Sequence, residues 1–569
     1  MAPQDVIDEF YRYVQNDIPL RVLFVPEMKL VDRFFVQDYY FPQIQHISEE
    51  EVEANISRGS DRETAARLLV SNAVQYAIFS HRWLPQDEPT FRDILDGTAK
   101  GLGRDKLWKF CEIVRSYEIM FAWSDTCCID KSSSSELDES IRSMFRWYRN
   151  STTCLVHLAQ TTSINDLSSD EWFERGWTLQ ELLAPIVTKL FNKNWRPLAD
   201  GPNDKNNDEV LDHLCVASGC PEKSLRGFVP GPFYVAPRMS WAARRKTTRG
   251  EDMAYSLMGI FDVTMQTMYG EGAERAFCRL IEKIMISNGN TSVLNWAGKP
   301  AVSHSSRAFP SSPRNYLGHP HVNCIRKLDI SITSLGLRIP LVLLPLGEPN
   351  LLERAGGSHT RVEFSISGDD SREALPSIHQ PIIVDILKGW SIKQQKWALG
   401  VFNYMPPYGN RATPRPGLRQ SSIAYLLSRR ETPSSNADHP VVNDDLRFYG
   451  WRKVPTATFV RFVVEGIQRD EVIMVLKIVE STQAYKEKTV CLGASATVKS
   501  RLNQSFTITM PSSNYRDFAS WVGVEHGDNQ PEGTVTELNG GSASVGQGVD
   551  GRPHPEGMKG TNLVGVKFY

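Results

Sequence analysis

Four short apolar runs, each separated from the next by a stretch of helical character, constrain the fold of residues 70–200 more than any other feature. The runs are Tyr76-Ala-Ile-Phe-Ser80, Ile119-Met-Phe-Ala-Trp123, Thr153-Cys-Leu-Val-His-Leu158 and Ile186-Val-Thr-Lys-Leu-Phe191. Between the first two, Leu107, Phe110, Cys111 and Val114 recur at i, i+3, i+4 and i+7, the spacing of an amphipathic helix. Leu137, Ile141, Met144, Phe145 and Tyr148 form a second such face, and Ser135 with Asp138 resembles a capping box at its start. Trp177 to Leu183 supplies the helical stretch before the fourth run. Strands joined through single helices lie parallel, because right-handed crossovers carry each helix onto a face of the sheet. An open parallel α/β sheet is therefore expected, with Leu20-Arg-Val-Leu-Phe-Val25 as an additional strand.

A length of 569 residues allows about three or four domains. Residues 1–69 read as a lead-in, 70–200 as the α/β domain and 201–298 as a helical segment. In that segment Glu251 to Phe261 places Ala254, Leu257, Met258 and Phe261 on one face, and Glu271 to Ile286 repeats the pattern. Residues 299–316 are rich in Pro, Ser and Arg and read as a linker or long loop. From 317 to 569 the pattern changes to short β-branched runs, which suggest a mainly β C-terminal domain. They are Leu328–Ile332, Leu337–Leu344, Arg361–Ile366, Ile382–Ile386, Thr456–Val464 and Glu471–Ile478. Its Gly/Pro-rich stretch 531–560 reads as mobile loops or disorder.

Charge and composition exclude several functions. With 64 Lys+Arg against 66 Asp+Glu there is no basic excess to neutralise nucleic-acid phosphates, so no nucleic-acid partner is expected. The apolar run Ile339 to Leu346 is far shorter than the roughly 18–20 residues of a membrane span and holds two prolines. Asp5, Asp8 and Glu9 near the start argue against a signal peptide, so a cytoplasmic location is expected. The nine cysteines form no CxxC and read as reduced, mostly buried thiols, with no metal site. GxxxxGK[ST], HExxH and GxSxG are all absent, and Gly270-Glu-Gly272 lacks the remainder of a dinucleotide fingerprint. A thiol nucleophile at Cys128 with His81 or His157 has only composition behind it.

In an open parallel sheet, ligands bind beyond the carboxyl ends of the strands. Ser80, His81, Arg82 and Trp83 follow the first run, and Ser124, Asp125 and Asp130 follow the second, so these groups meet at one sheet edge. The alternative is structural: Ser80 and Asp125 cap turns while Trp83 fills space between loops. Trp177 and Glu181, four apart, share a helix face, where an indole desolvates a carboxylate and raises its pKa. The competing assignment for Glu181 is a solvated pair with Arg175 or Arg149.

Several blocks resemble those of the fungal heterokaryon-incompatibility (HET) domain, in order and with suitable gaps across residues 70–200. They are Tyr76 to Trp83, Glu88-Pro-Thr-Phe-Arg-Asp93, Phe121-Ala-Trp-Ser-Asp-Thr-Cys-Cys-Ile-Asp-Lys131, Glu136 to Tyr148, and Trp172-Phe-Glu-Arg-Gly-Trp-Thr-Leu-Gln-Glu-Leu-Leu-Ala-Pro185. Thr248-Arg-Gly-Glu-Asp-Met-Ala-Tyr-Ser-Leu-Met-Gly-Ile-Phe261 and Tyr269-Gly-Glu-Gly272 resemble the segment that commonly follows that domain. His81 stands where many members carry Tyr. HET domains are in turn similar to TIR domains, through Ser80-His-Arg82 and Trp177 to Leu182 here.

The resemblance implies a TIR-like, flavodoxin-like fold and a role in fungal non-self recognition, with cell death on fusion of incompatible cells. It also implies cleavage of NAD at the nicotinamide–ribose bond, with NAD as substrate, no cofactor and no metal. Glu181 then takes the catalytic position, with Ser80, His81, Arg82, Trp83, Asp125 and Trp177 binding substrate. A fixed carboxylate suits the positive charge that develops on the ribose. The alternative is a non-enzymatic signalling module that acts by self-association through the HET domain, with a protein partner yet to be identified.

Overall fold

A computed structural model describes residues 2–288 without a break, then 290–303, 308–320, and separate stretches of a β-rich region from residue 328 onward. Six strands form the first sheet: β1 (Arg21–Phe24), β2 (Lys29–Asp32), β3 (Ala77–His81), β4 (Phe121–Trp123), β5 (Thr153–His157) and β6 (Thr188–Phe191). Their order is β2-β1-β4-β3-β5-β6. The run β4-β3-β5-β6 is parallel throughout, as the intervening helices require. Its order is the second-first-third-fourth arrangement of a doubly wound sheet, with the topological switch between β3 and β5.

The sheet is mixed rather than wholly parallel. β1 runs antiparallel to both β2 and β4. For the β1–β2 pair the physical reason is length: residues 25–28 make a tight turn, with Met28 at φ 53°, and a parallel pair needs a crossover of a dozen or more residues. Helices α1 (Gln4–Asn16), α2 (Arg33–Ile44), α3 (Glu49–Ile56) and α4 (Arg62–Ala73) pack together beside this hairpin.

The crossovers carry α5 (Phe91–Leu95), α6 (Gly101–Ser116), α7 (Ser134–Asn150) and α8 (Thr178–Leu183). α6 buries Leu107, Phe110, Cys111 and Val114, and α7 buries Ile141, Met144, Phe145 and Tyr148, as their spacing predicts. The N-cap of α7 is Ser133 rather than Ser135: its hydroxyl accepts from the Glu136 amide. Asp138 is engaged elsewhere, accepting from both the amide and the hydroxyl of Thr267 at 2.8 Å. Every residue of β3 to β6 is buried, because helices cover both faces.

Beyond the sheet come α9 (Asp208–Ser218), α10 (Glu222–Arg226), α11 (Val235–Ala242), α12 (Asp252–Tyr255), α13 (Met258–Phe261) and α14 (Ala273–Asn288). The single helix expected over Glu251 to Phe261 is two short ones. α13 packs on α7 so closely that a Cβ at Gly259 would lie 2.2 Å from Phe145 Cβ. Among the described residues of 299–316, Ala301 N–H donates to Phe309 O, Pro313–Tyr316 forms a 3-10 turn, and Phe309 and Tyr316 are buried.

The C-terminal region is antiparallel. One sheet joins Asn350–Glu353, His359–Phe364 and Ile382–Leu387. A larger one is built on Gly336–Leu346, Gln395–Val401 and Ser421–Arg430, with Arg452–Lys453, Val460–Val463 and Lys488–Leu492 alongside. It meets the helical segment where Tyr425 Oη donates to Leu294 O and Trp296 packs on Tyr425. The strand expected at Glu471–Ile478 and the stretch 531–560 lie outside the described residues. No described helix is long and apolar enough to cross a membrane.

Candidate functional site

β3 ends at the topological switch, and successive residues of a strand point to opposite faces. Ser80 therefore points to one face, and Phe79 and His81 to the other, where their rings stack 4.1 Å apart. On its face the fully buried Ser80 hydroxyl donates to Glu181 Oε2 at 2.5 Å and accepts from the Trp172 indole N–H at 2.9 Å. Because Trp172 can only donate, it directs the serine proton toward the carboxylate.

Glu181 lies on α8, and its position is fixed from the helical segment. Gly176 N–H donates to Lys246 O at 2.8 Å, and a Cβ on Gly176 would fall 2.4 Å from Thr247 Cγ2. The buried Arg245 guanidinium donates to Arg175 O and to Thr178 Oγ1, both at 2.8 Å. The start of α8 is thus clamped by residues some seventy positions along the chain.

Only 6% of Glu181 is exposed. Burial pushes its pKa up to about 8, and the nearby Asp125 charge adds to the effect. The hydrogen bond from Ser80, the Arg175 charge and the nearby Tyr148 hydroxyl, which itself donates to Phe79 O at 2.9 Å, act in the opposite direction. Asp125, in the loop after β4, has its carboxyl raised chiefly by burial, with Lys131, Arg175 and the Trp83 indole opposing. Trp83 Nε1–H donates to both Asp125 oxygens, at 2.9 and 3.2 Å. Lys131 Nζ lies 4.0 Å from the Trp83 ring centroid and Arg175 Cζ 5.8 Å from it.

Of the residues singled out from the sequence, Ser80, Trp83, Asp125 and Glu181 share one electrostatic cluster. Three lie elsewhere. His81 is buried on the opposite face, 3.8 Å from Glu88, with burial and the Lys106 charge holding its pKa well below the ordinary value. Arg82 forms an exposed ion pair with Glu171 at 2.6 Å. Trp177 lies toward Asp252 of the helical segment, where it opposes the rise that burial imposes on that carboxyl, and the indole next to the Ser80–Glu181 pair is Trp172. Arg149 donates to Ala184 O and Phe228 O rather than to Glu181.

Sequence reasoning missed Trp172, Tyr148, Lys131 and Arg245. Tyr148 had a signal, since it lies on the apolar face of α7 directed at the sheet, but helical periodicity does not tell a core hydroxyl from a site hydroxyl. Cys111, Cys127, Cys128, Cys154, Cys215, Cys220 and Cys278 are free thiols, and no cluster able to hold a metal ion occurs among the described residues.

The model of the heterokaryon incompatibility protein (HET) family matches residues 76–168. That segment is similar to a HET domain. Over 229 residues the chain is 44% identical to the vegetative incompatibility protein HET-E-1 of Podospora anserina, a match that covers 38% of this chain and 16% of that relative's length. The chain thus spans about a sixth of that protein. No solved structure matches. The family segment of the HET domain contains Ser80, Trp83, Asp125, Lys131 and Tyr148, whereas Trp172 and Glu181 follow its end.

Proposed function

We propose that this HET domain has a TIR-like fold and cleaves NAD at the nicotinamide–ribose bond, as a cytoplasmic cell-death effector in vegetative incompatibility that works when the domain self-associates. The observation that carries this reading is the Ser80–Glu181 hydrogen bond at the switch point of the parallel sheet, with Trp172 fixing its direction. In the reaction the C1′–N bond breaks, its electron pair leaves with neutral nicotinamide, and positive charge builds on the ribose. Ionised Glu181 stabilises that charge, and Ser80 holds one of its oxygens in place. Water then bonds to C1′ and loses a proton to the carboxylate, giving ADP-ribose.

A second reading is a non-enzymatic interaction module. One observation favours it: Ser80 is fully buried and Glu181 nearly so, as suits a hydrogen-bonded pair that only stabilises the core. NAD consumption by the full chain, concentrated to drive assembly, separates the two. The enzymatic reading predicts turnover by wild type and a loss of at least about a hundredfold in Glu181→Gln. If wild type is inert and Glu181→Gln still triggers cell death, the module reading stands instead.

A further inference from the structure

Two cations at the rim of this site have no carboxylate partner. Arg82 pairs with Glu171 and Lys106 with Glu88, but Lys131 and Arg175 have no acidic group at ion-pair distance among the described residues. Both lie over the same indole, and both exert their fields on Asp125. Lys131 is at the surface, its ammonium only 3.4 Å from Thr126 O. Trp83 itself is 37% exposed, and the bond to Asp125 fixes the orientation of its ring. A protonated Glu181 leaves the cluster Lys131, Arg175 and Asp125 with a net positive charge. An ammonium and a guanidinium without a carboxylate partner, both near one aromatic rim, suit an anion with several acceptor oxygens, attached to a planar base.

We propose that Lys131 and Arg175 form a diphosphate subsite beside Trp83, so that the site selects ligands in which two linked phosphates join nucleoside units. This deepens the cleavage reading and rests on it for the chemistry, but not for the binding. Lys131 and Arg175 each donate to phosphate oxygens, while the Trp83 ring borders the base or the sugar. A nucleoside without phosphates makes none of these charged contacts.

The test is calorimetric titration of the full chain with ADP-ribose, and with adenosine as the control without phosphates. ADP-ribose should bind the wild type, and Lys131→Met or Arg175→Met should weaken it about tenfold, the loss of one charge-assisted contact. Binding of adenosine should be unaffected, and Lys131→Arg should bind ADP-ribose like wild type. Thermal melting confirms that each variant is folded, and Lys131 at the surface is the safer substitution. The proposal is overturned if folded wild type does not bind ADP-ribose, if Lys131→Met binds it unchanged, or if adenosine loses as much as ADP-ribose. The two readings fail separately. Lys131-dependent binding without NAD turnover removes only the cleavage reading, whereas turnover with a KM for NAD unaffected by Lys131→Met removes only the diphosphate subsite.

Discussion

The parallel sheet and the antiparallel region bury their strands in different ways. β3 and β5 are buried at every position, whereas Ile382–Leu387 alternates, with Ile383 50% exposed between buried neighbours. A strand covered by helices on both faces has no solvent face, so any hydrogen-bond partner for a polar residue within it has to come from inside the protein. Ser80 does so with Glu181 and Trp172. The antiparallel region has its own buried ionisable group, Lys453, whose ammonium lies 3.5 Å from the Trp296 ring centroid and 4.8 Å from that of Tyr425. Glu181 is held by directed hydrogen bonds, Lys453 by aromatic faces. Directional partners set the geometry of a reacting group; ring faces compensate charge without aiming it.

This contrast can be broken most readily at its largest effect. Phe79 is buried in β3 and stacks on Phe110, so Phe79→Ala should cost about 3–5 kcal/mol in denaturant unfolding. A loss below about 1 kcal/mol would mean that the doubly covered sheet does not form the core described.

The two buried ionisable groups should titrate stability in opposite directions. Glu181 has a pKa of about 8 when folded against an ordinary 4.5, so the folded state binds the extra proton between those values. Its contribution is fully present below about pH 4.5 and falls by up to about 1.4 kcal/mol per pH unit until pH 8. Glu181→Gln should therefore flatten stability over that window and gain on wild type as pH rises toward 8. Lys453 is lowered from 10.5 to about 7 by burial, so here the unfolded state binds the extra proton. Its contribution is present above about pH 10.5 and is lost as pH falls toward 7, and Lys453→Met should remove that slope. Denaturation midpoints measured from pH 5 to 10 read both effects, and matching slopes in wild type and variants would erase the distinction. The smallest effect is expected at the exposed face: Ile383→Thr should change stability by no more than about 0.5 kcal/mol.

Much of the α/β architecture could be read from the sequence because local periodicity encodes it. The apolar runs near 77, 121, 153 and 188 became strands, and the faces of α6 and α7 fell where the spacing put them. The β1–β2 hairpin was harder to see, since a run such as Leu20 to Val25 does not show the direction of its neighbour. At the site, period-two alternation already separates Ser80 from His81, and the structure places them on opposite faces. Which of two indoles lies by Glu181 is a tertiary matter. Trp177 has the i, i+4 spacing but lies toward Asp252, far along the chain, and Trp172 approaches Ser80 from a 3-10 turn with no periodic signal. Arg245 was equally hidden, because its role is to clamp a turn seventy residues away.

The central claim, that a buried carboxyl aimed by a serine acts on the ribose of NAD, is tested most directly by the pH dependence of nicotinamide release. For the assembled full chain, kcat/KM should rise with pH and level off above an apparent pKa near 8, as Glu181 ionises. Glu181→Gln should release almost no nicotinamide at any pH. Release by the variant at the wild-type rate, with the same pH profile, would contradict the account.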